Sequence, residues 1–312
     1  MAGPPLFAST VRPKDIFDPW SGDPVMTWEQ LNNRIETILR KHGESALVWR
    51  GVSDSSWGLY SSLYRRLKKV SPNVLEEDLV REELRLLARA KQEWRLDDMC
   101  ALEIFAHIQH YGGPTRLLDV TSNPLIAAWF AVEQKWLATG DPEPDTDCRV
   151  FCFYVGEYVE LDEEWGGRTP PWVDWLDNPT RKVQNWGTGQ VRRVWRPPAY
   201  NARISAQNAA FLLDGAPFGF EGSNTFTKAP GRGNERWTIA ELKDASSIPL
   251  KLNQAGRQKA TEHSTPAFSF TIAESAREDI RKRLENHYGY SPASLYADLF
   301  GLAQNAAPHL PI

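Results

Sequence analysis

Apolar side chains recur at Trp28, Leu31, Ile35, Ile38 and Leu39, the three-and-four spacing of a helix with one buried face. Thr27 followed by Gln30 supplies a capping box ahead of it, and His42–Gly43 ends it. The pattern then changes to ALVWRGV at 46–52, a short buried strand running into glycine, and to LYSSLYRRL at 59–67, a helical turn or two. From Val74 to Trp94 a long charged helix is predicted, with Leu79, Leu84, Leu87 and Ala88 inward. Its acidic start and basic end suit the helix dipole. A third helix is predicted over 98–111, capped by Asp98 and stopped by Gly112. An apolar helix follows over 124–138, with Pro124 in its first turn.

RVFCFYV at 149–155 reads as the clearest strand. Residues 157–202 then carry five Trp, five Pro and the cations Arg181, Lys182, Arg192, Arg193 and Arg196, which suggests a decorated loop. Regular structure resumes at 203–213, strands are expected at 236–242, 248–252 and 267–272, and helices at 274–287 and 292–304. Helices early and strands late predict an α+β fold with a mixed, mostly antiparallel central sheet and flanking helices. The expected organisation is an irregular arm over 1–26 and one domain over 27–312, with 157–202 as an insertion.

Composition narrows the classes. With 41% hydrophobic and 24% charged residues, the 312-residue chain has enough apolar content for a sizeable core. A net charge of −4 excludes a uniformly basic nucleic-acid binder and leaves only a local basic patch. Three cysteines without a CxxC form no disulfide framework, so a reducing cytoplasm is expected. MAGPPLFAST lacks the features of a secretory signal, and no run is apolar enough for a membrane span, so no membrane partner is expected.

Candidate chemistry gathers in four places. Arg50, before Gly51 on a buried strand, puts a forked permanent cation where a sheet opens, suited to a phosphate or to a structural carboxylate. HYGGPTRLLDVTSNP at 110–124 holds His110 and Tyr111, which can frame a flat ring, and Arg116 with Asp119, a candidate buried pair. Thr121, Ser122 and Asn123 precede the next helix, where they serve as caps or face an anion. Arg203 and Gln207 recur four apart; Glu221, Glu235 and Glu241 are the nearest carboxylates that could act as a base. Asp214 with Glu241-Leu242-Lys243 resembles the acid…ExK set of metal-dependent nucleases, though such triplets are common by chance. No zinc-type, Walker or GxSxG motif is present.

WRG at 49–51 together with HYGGPTRLLDVTSNPLIAAWFA at 110–131 resembles the FRG domain, a bacterial family named for a Phe-Arg-Gly signature, with Trp49 in place of the Phe. RISAQNAAF at 203–211 and YSPASLYADLFGLA at 290–303 are similar to its later blocks. Members occur in toxin-like and anti-phage settings. The arrangement further resembles ADP-ribosyltransferases, with an Arg-Gly on a first strand, a Ser/Thr strand feeding a helix ending Ala-x-x-aromatic-Ala, and a third motif carrying Glu or Gln. Arg50-Gly51, Asp119–Thr121 with Ala127…Phe130-Ala131, and Gln207 fill those slots in order. That resemblance implies NAD as co-substrate, no metal, and a toxin or defence effector with an antitoxin or chaperone partner. Arg50, Tyr111 and Gln207 would be catalytic; Gly51, His110, Arg116, Thr121, Asn123 and Arg203 would contact NAD alongside Arg50 and Tyr111. Arg181, Lys182, Trp186, Arg192, Arg193 and Trp195 would form a platform for a nucleic-acid acceptor. The alternatives are the nuclease set and a module that binds a nucleotide or phage component without turnover.

Overall fold

A computed structural model describes residues 11–42, 45–219, 226–230, 235–254, 265–305, 307 and 309–310. Glu221 therefore lies outside the described residues, as do residues 1–10 of the expected arm. Eight strands form one mixed sheet: β1 (Leu47–Val52), β2 (Leu118–Thr121), β3 (Cys148–Tyr154), β4 (Glu157–Val159), β5 (Arg193–Trp195), β6 (Ala209–Leu213), β7 (Lys251–Leu252) and β8 (Pro266–Ile272). Their order is β4-β5-β6-β2-β1-β3-β8-β7. Only the outermost pairs, β4–β5 and β7–β8, are parallel, so the sheet is mostly antiparallel as the sequence implied.

One face of the sheet is covered by α2 (Trp28–His42), α6 (Pro124–Val132) and α10 (Glu274–Tyr288), packed on Trp49, Val150, Phe268 and Phe270. Alternation along the strands sends Val48, Phe151, Phe153 and Leu212 to the opposite face. There they meet α1 (Pro13–Ser21), whose Ile16, Phe17 and Trp20 are buried. The segment expected to be an irregular arm thus contributes a core helix. A third apolar cluster joins α4 (Glu76–Trp94) and α5 (Ala101–His110) to the insertion and β6.

The insertion departs most from expectation. It holds β4, a 3₁₀ turn at Pro171–Asp174, α7 (Asn178–Val183) and β5, and all five of its Trp side chains are buried. Two local predictions also fail. Residues 239–243 form helix α9 (Ile239–Lys243) and not a strand, because Thr238 and Glu241 cap each other reciprocally. The helix predicted to reach 138 stops at Val132, and Glu133 is extended and buried where its carboxylate meets the Tyr296 hydroxyl at 3.0 Å.

What positions the site is the approach of α6 to β1. α6 is apolar on nearly all sides and fully embedded, as such a helix must be. A Cβ on Gly51 would lie 1.9 Å from the Ala127 carbonyl oxygen and 2.6 Å from the Ala131 amide nitrogen. Gly51 is therefore required for helix–strand contact. Gly51→Ala is expected to lower stability by about 3 kcal/mol, the upper range for overpacking a tight core. Urea denaturation checks this; a midpoint equal to wild type would mean α6 moves away at no cost.

Candidate functional site

β1 and β2 are held together at one register position, Trp49 opposite Thr121, whereas β1 pairs with β3 over six. Beside that point the Arg50 guanidinium reaches across and donates from Nη1 to the Asp119 carbonyl at 2.7 Å. The Asp119 carboxylate stands 3.8 Å away and is 63% exposed. Here the sheet opens into a cleft of about 230 Å³.

Arg50 and Thr121 line the cleft from the strands, and Gln109 and His110 from the end of α5. Arg203 and Gln207 come from α8 (Ala202–Ala206) and its C-cap. Rings close the remaining sides: Tyr200, Phe130 and Tyr296, the last following α11 (Pro292–Leu295). Burial pulls the Arg50 pKa down against the upward pull of Asp119, with Arg65 adding a smaller repulsion. A guanidinium so placed stays charged at neutral pH. Its Nε is buried without a partner among the described residues.

Gln207 donates from Nε2 to the Leu295 carbonyl at 2.9 Å. No donor to its Oε1 is found among the described residues. Thr121 ties β2 to the turn before β6, its hydroxyl donating to the Gln207 carbonyl at 2.7 Å. Arg203 lies over the Tyr296 ring at 4.9 Å. It makes no ion pair among the described residues. His110 itself lines the cleft, and its Nε2 is 3.0 Å from Asp298, at the start of α12 (Leu299–Asn305). Burial lowers the His110 pKa against the opposing pull of Asp298, favouring a neutral ring.

Five residues expected at the site thus share the cleft: Arg50, His110, Thr121, Arg203 and Gln207. Gly51 borders it, but its role is the close approach of α6. Tyr111 does not join them. It is 63% exposed and lines a separate apolar groove between α4 and α5 with Trp94 and Met99. Asn123 caps α6, accepting from the amides of Leu125 and Ile126 at 2.9 and 3.3 Å, and its amide donates to Tyr290. The capping alternative is the observed one.

Arg116 is also corrected. It pairs with Glu76 and Glu83 and not with Asp119, and it is 3% exposed. Its guanidinium donates to Glu83 at 2.5 and 2.7 Å and to Glu76 at 2.6 Å. Trp172 and Trp186 donate their indole N–H groups to the same two carboxylates at 2.9 Å, and their ring centroids lie 4.9 and 5.3 Å from the guanidinium carbon. Burial pushes both carboxyl pKa values upward. Arg116 together with Arg181 carries Glu76 below the usual range, whereas at Glu83 burial prevails over Arg116 and the Trp172 hydrogen bond.

The nucleic-acid platform is not a surface. Arg181, Trp186, Arg192, Arg193 and Trp195 are all buried; of the six residues proposed, Lys182 alone is exposed. Arg192 donates to the carbonyls of Tyr154, Thr265 and Pro266, and burial lowers its pKa to about 10. Arg193 pairs with Glu157 at 3.2 Å, and Arg181 donates to the carbonyls of Trp186 and Ala216. These cations are interior braces.

The nuclease set does not assemble either. Glu241 caps its own helix, Lys243 reaches Asn73, and Asp214 is buried, accepting from the amides of Gly187 and Gly215 at 2.7 and 2.8 Å. Among the described residues no group of three metal-ligating side chains could hold an ion.

Sequence reasoning missed Gln109, Tyr200, Tyr296 and Asp298. Gln109, Tyr200 and Tyr296 line the cleft and Asp298 pairs with His110, each from a different part of the chain, where spacing carries no signal. The closing motif YSPASLYADLF contains two of them, and its similarity to the family's last block was the available clue.

Residues 45–138 match the family model of the FRG domain. The chain contains an FRG domain. The match covers β1, α3 (Ser62–Lys68), α4, α5, β2 and α6, hence Arg50, His110 and Thr121 of the cleft. The opposite wall of the cleft, Tyr200 to Gln207 and Tyr296, comes from outside the matched segment. No curated protein and no solved structure matches the chain. No described helix is long and apolar enough to cross a membrane.

Asp214 generates a pH prediction. Burial raises its pKa from 3.8 to about 7, against the pull of Gly187, Arg193 and Arg192, and its Oδ2 has no partner among the described residues. The folded chain therefore holds this proton more tightly than the unfolded chain does. The resulting stability is present at acid pH and lost as pH rises from about 4 through 7. Asp214→Asn keeps an acceptor for both amides and carries no charge. Its denaturation midpoint should gain on wild type between pH 5 and pH 8. A difference that does not change with pH would show that Asp214 ionises freely in the folded state.

Proposed function

We propose that this cleft binds NAD and that the protein is an ADP-ribosyltransferase-like effector. One observation carries the reading: Arg50, Thr121 and Gln207, far apart in sequence, come from β1, β2 and the turn into β6, neighbours in the sheet, and share one cleft. They are the three positions at which the sequence resembles that enzyme class, in the same order. A toxin or anti-phage role is what the FRG family setting implies.

The chemistry uses few groups. NAD brings a flat nicotinamide, a ribose and a diphosphate. Tyr200, Phe130 and Tyr296 offer faces for the ring, with Tyr200 stacked on His107 at 4.6 Å. Arg50 is the cation for phosphate oxygens, and Arg203, over the Tyr296 ring, stands at the ring-bearing end. When the glycosidic bond breaks, its electron pair leaves with nicotinamide and the ribose carbon becomes oxocarbenium-like. A site that stabilises developing charge with preorganised groups accelerates such a step. The attacking acceptor, or water, forms the new bond at that carbon and releases a proton. Asp119 and neutral His110 stand in the cleft to take it.

A second reading, NAD binding without turnover, is favoured by one feature. The third position is Gln207, whose amide is engaged with Leu295, and no Glu stands there. In that case NAD raises the melting temperature and nicotinamide is not released.

Incubation with NAD and cell extract, following nicotinamide release and label transfer, tests the proposal. Wild type is expected to release nicotinamide, and Arg50→Ala to do so about a hundredfold more slowly. Arg50→Lys is expected to restore little, because one ammonium does not replace a two-pronged guanidinium. Undiminished release by Arg50→Ala, or none by wild type, refutes the enzymatic reading.

A further inference from the structure

Beyond Arg50 lies a second cavity of about 200 Å³, walled by Ser62 and Arg65 of α3, by Gly112–Gly113 and by the start of β2. It shares Arg50, Gln109 and Asp119 with the main cleft, so the two are adjoining compartments with Arg50 in the partition. We propose that this second cavity is a phosphate-binding compartment, which takes the diphosphate of a dinucleotide whose ring-bearing end lies in the main cleft. The dinucleotide part of this statement rests on the NAD reading. The affinity for phosphate groups does not.

Three observations support it. Arg50 and Arg65 face the same hole closely enough for Arg65 to disfavour the Arg50 charge. Arg65 is exposed and makes no ion pair among the described residues, and Arg50 keeps a buried Nε without a partner. Against two guanidiniums the cavity sets one carboxylate, Asp119, which is largely turned to solvent. The remaining polar groups are already engaged in the protein. Ser62 Oγ accepts from the Thr115 amide at 3.0 Å, Tyr60 donates to the Asp244 carbonyl, and Arg66 donates to Gly112. What is left over is positive charge on two planar forks, the geometry that matches phosphate oxygens.

The test is calorimetric titration of the intact chain with pyrophosphate, and with adenosine as a phosphate-free control, at low and high salt. Wild type is expected to bind pyrophosphate. Arg65→Gln should weaken that binding about tenfold, as loss of one charge-assisted contact does, and flatten its salt dependence. Arg65 is exposed, so the variant should fold normally. Asp119→Asn should tighten pyrophosphate binding by removing the one opposing charge, while the backbone carbonyl that holds Arg50 stays in place. Adenosine should not distinguish Arg65→Gln from wild type. Equal pyrophosphate affinity in wild type and Arg65→Gln, or no binding by wild type, overturns the compartment. The two readings fail separately. Arg65-dependent pyrophosphate binding without nicotinamide release refutes only the enzyme, and nicotinamide release with Arg65-independent binding refutes only the compartment.

Discussion

Arg116, locked between Glu76 and Glu83 and packed against two stacked indoles, is the contact on which the rest of this structure leans. Burying three charges is costly, and an ion pair by itself rarely recovers the lost hydration. Here the cost is offset by completeness. Three guanidinium N–H groups meet carboxylates, two indole N–H groups meet the same carboxylates, and the Ala216 amide donates to Glu76 at 2.8 Å. The contact ties α4, the turn before β2, the Trp-rich insertion and the segment after β6 into one unit. Removing Arg116 alone would leave buried Glu83 without its cation and Glu76 facing Arg181 at 4.0 Å.

The cleft inherits its geometry from that lock and from the contact on the other side of the sheet. Arg116 fixes where Leu118–Thr121 enters the sheet, and Gly51 lets α6 close on β1. Between them β1 and β2 are joined at one position, and the Arg50 guanidinium takes the Asp119 carbonyl beside it. Rigid surroundings on both sides of such an opening hold a charged side chain in place without a full ion pair. A protein with a net charge of −4 thus keeps two cations, Arg50 and Arg203, facing one small cavity.

Periodicity showed the elements with strong local signals. α2, α4, β3, β8 and α10 were legible because their apolar spacing and caps agree, and the mixed antiparallel sheet followed from their order. Of the site, Arg50, His110, Thr121, Arg203 and Gln207 were legible through their motifs. Tyr111 was misassigned because it follows His110 directly, and a helix end sends consecutive side chains to different faces. Arg116 was paired with Asp119 on proximity in sequence, whereas its partners stand 33 and 40 residues upstream. A long-range ion pair leaves no mark on local spacing. The strand expected at 236–242 lost to the Thr238–Glu241 capping box, a signal that was present and went unread.

The basic, Trp-rich insertion shows how composition misleads when burial is unknown. Alternating indoles and guanidiniums suit a surface that stacks on bases, and they suit an interior equally well if each guanidinium finds carbonyls or a carboxylate. Two features decide between these. Trp172 and Trp186 stack on each other at 5.4 Å and hydrogen-bond to buried Glu side chains. β5 adds itself to β6 through Arg193–Trp195, placing Trp195 against Phe211, which itself lines the cleft. The insertion is therefore a buttress for the strand that follows Gln207. Arg181, Arg192 and Arg193 serve to fold the segment, whereas Arg50 and Arg203 face the cleft beside the opening between β1 and β2.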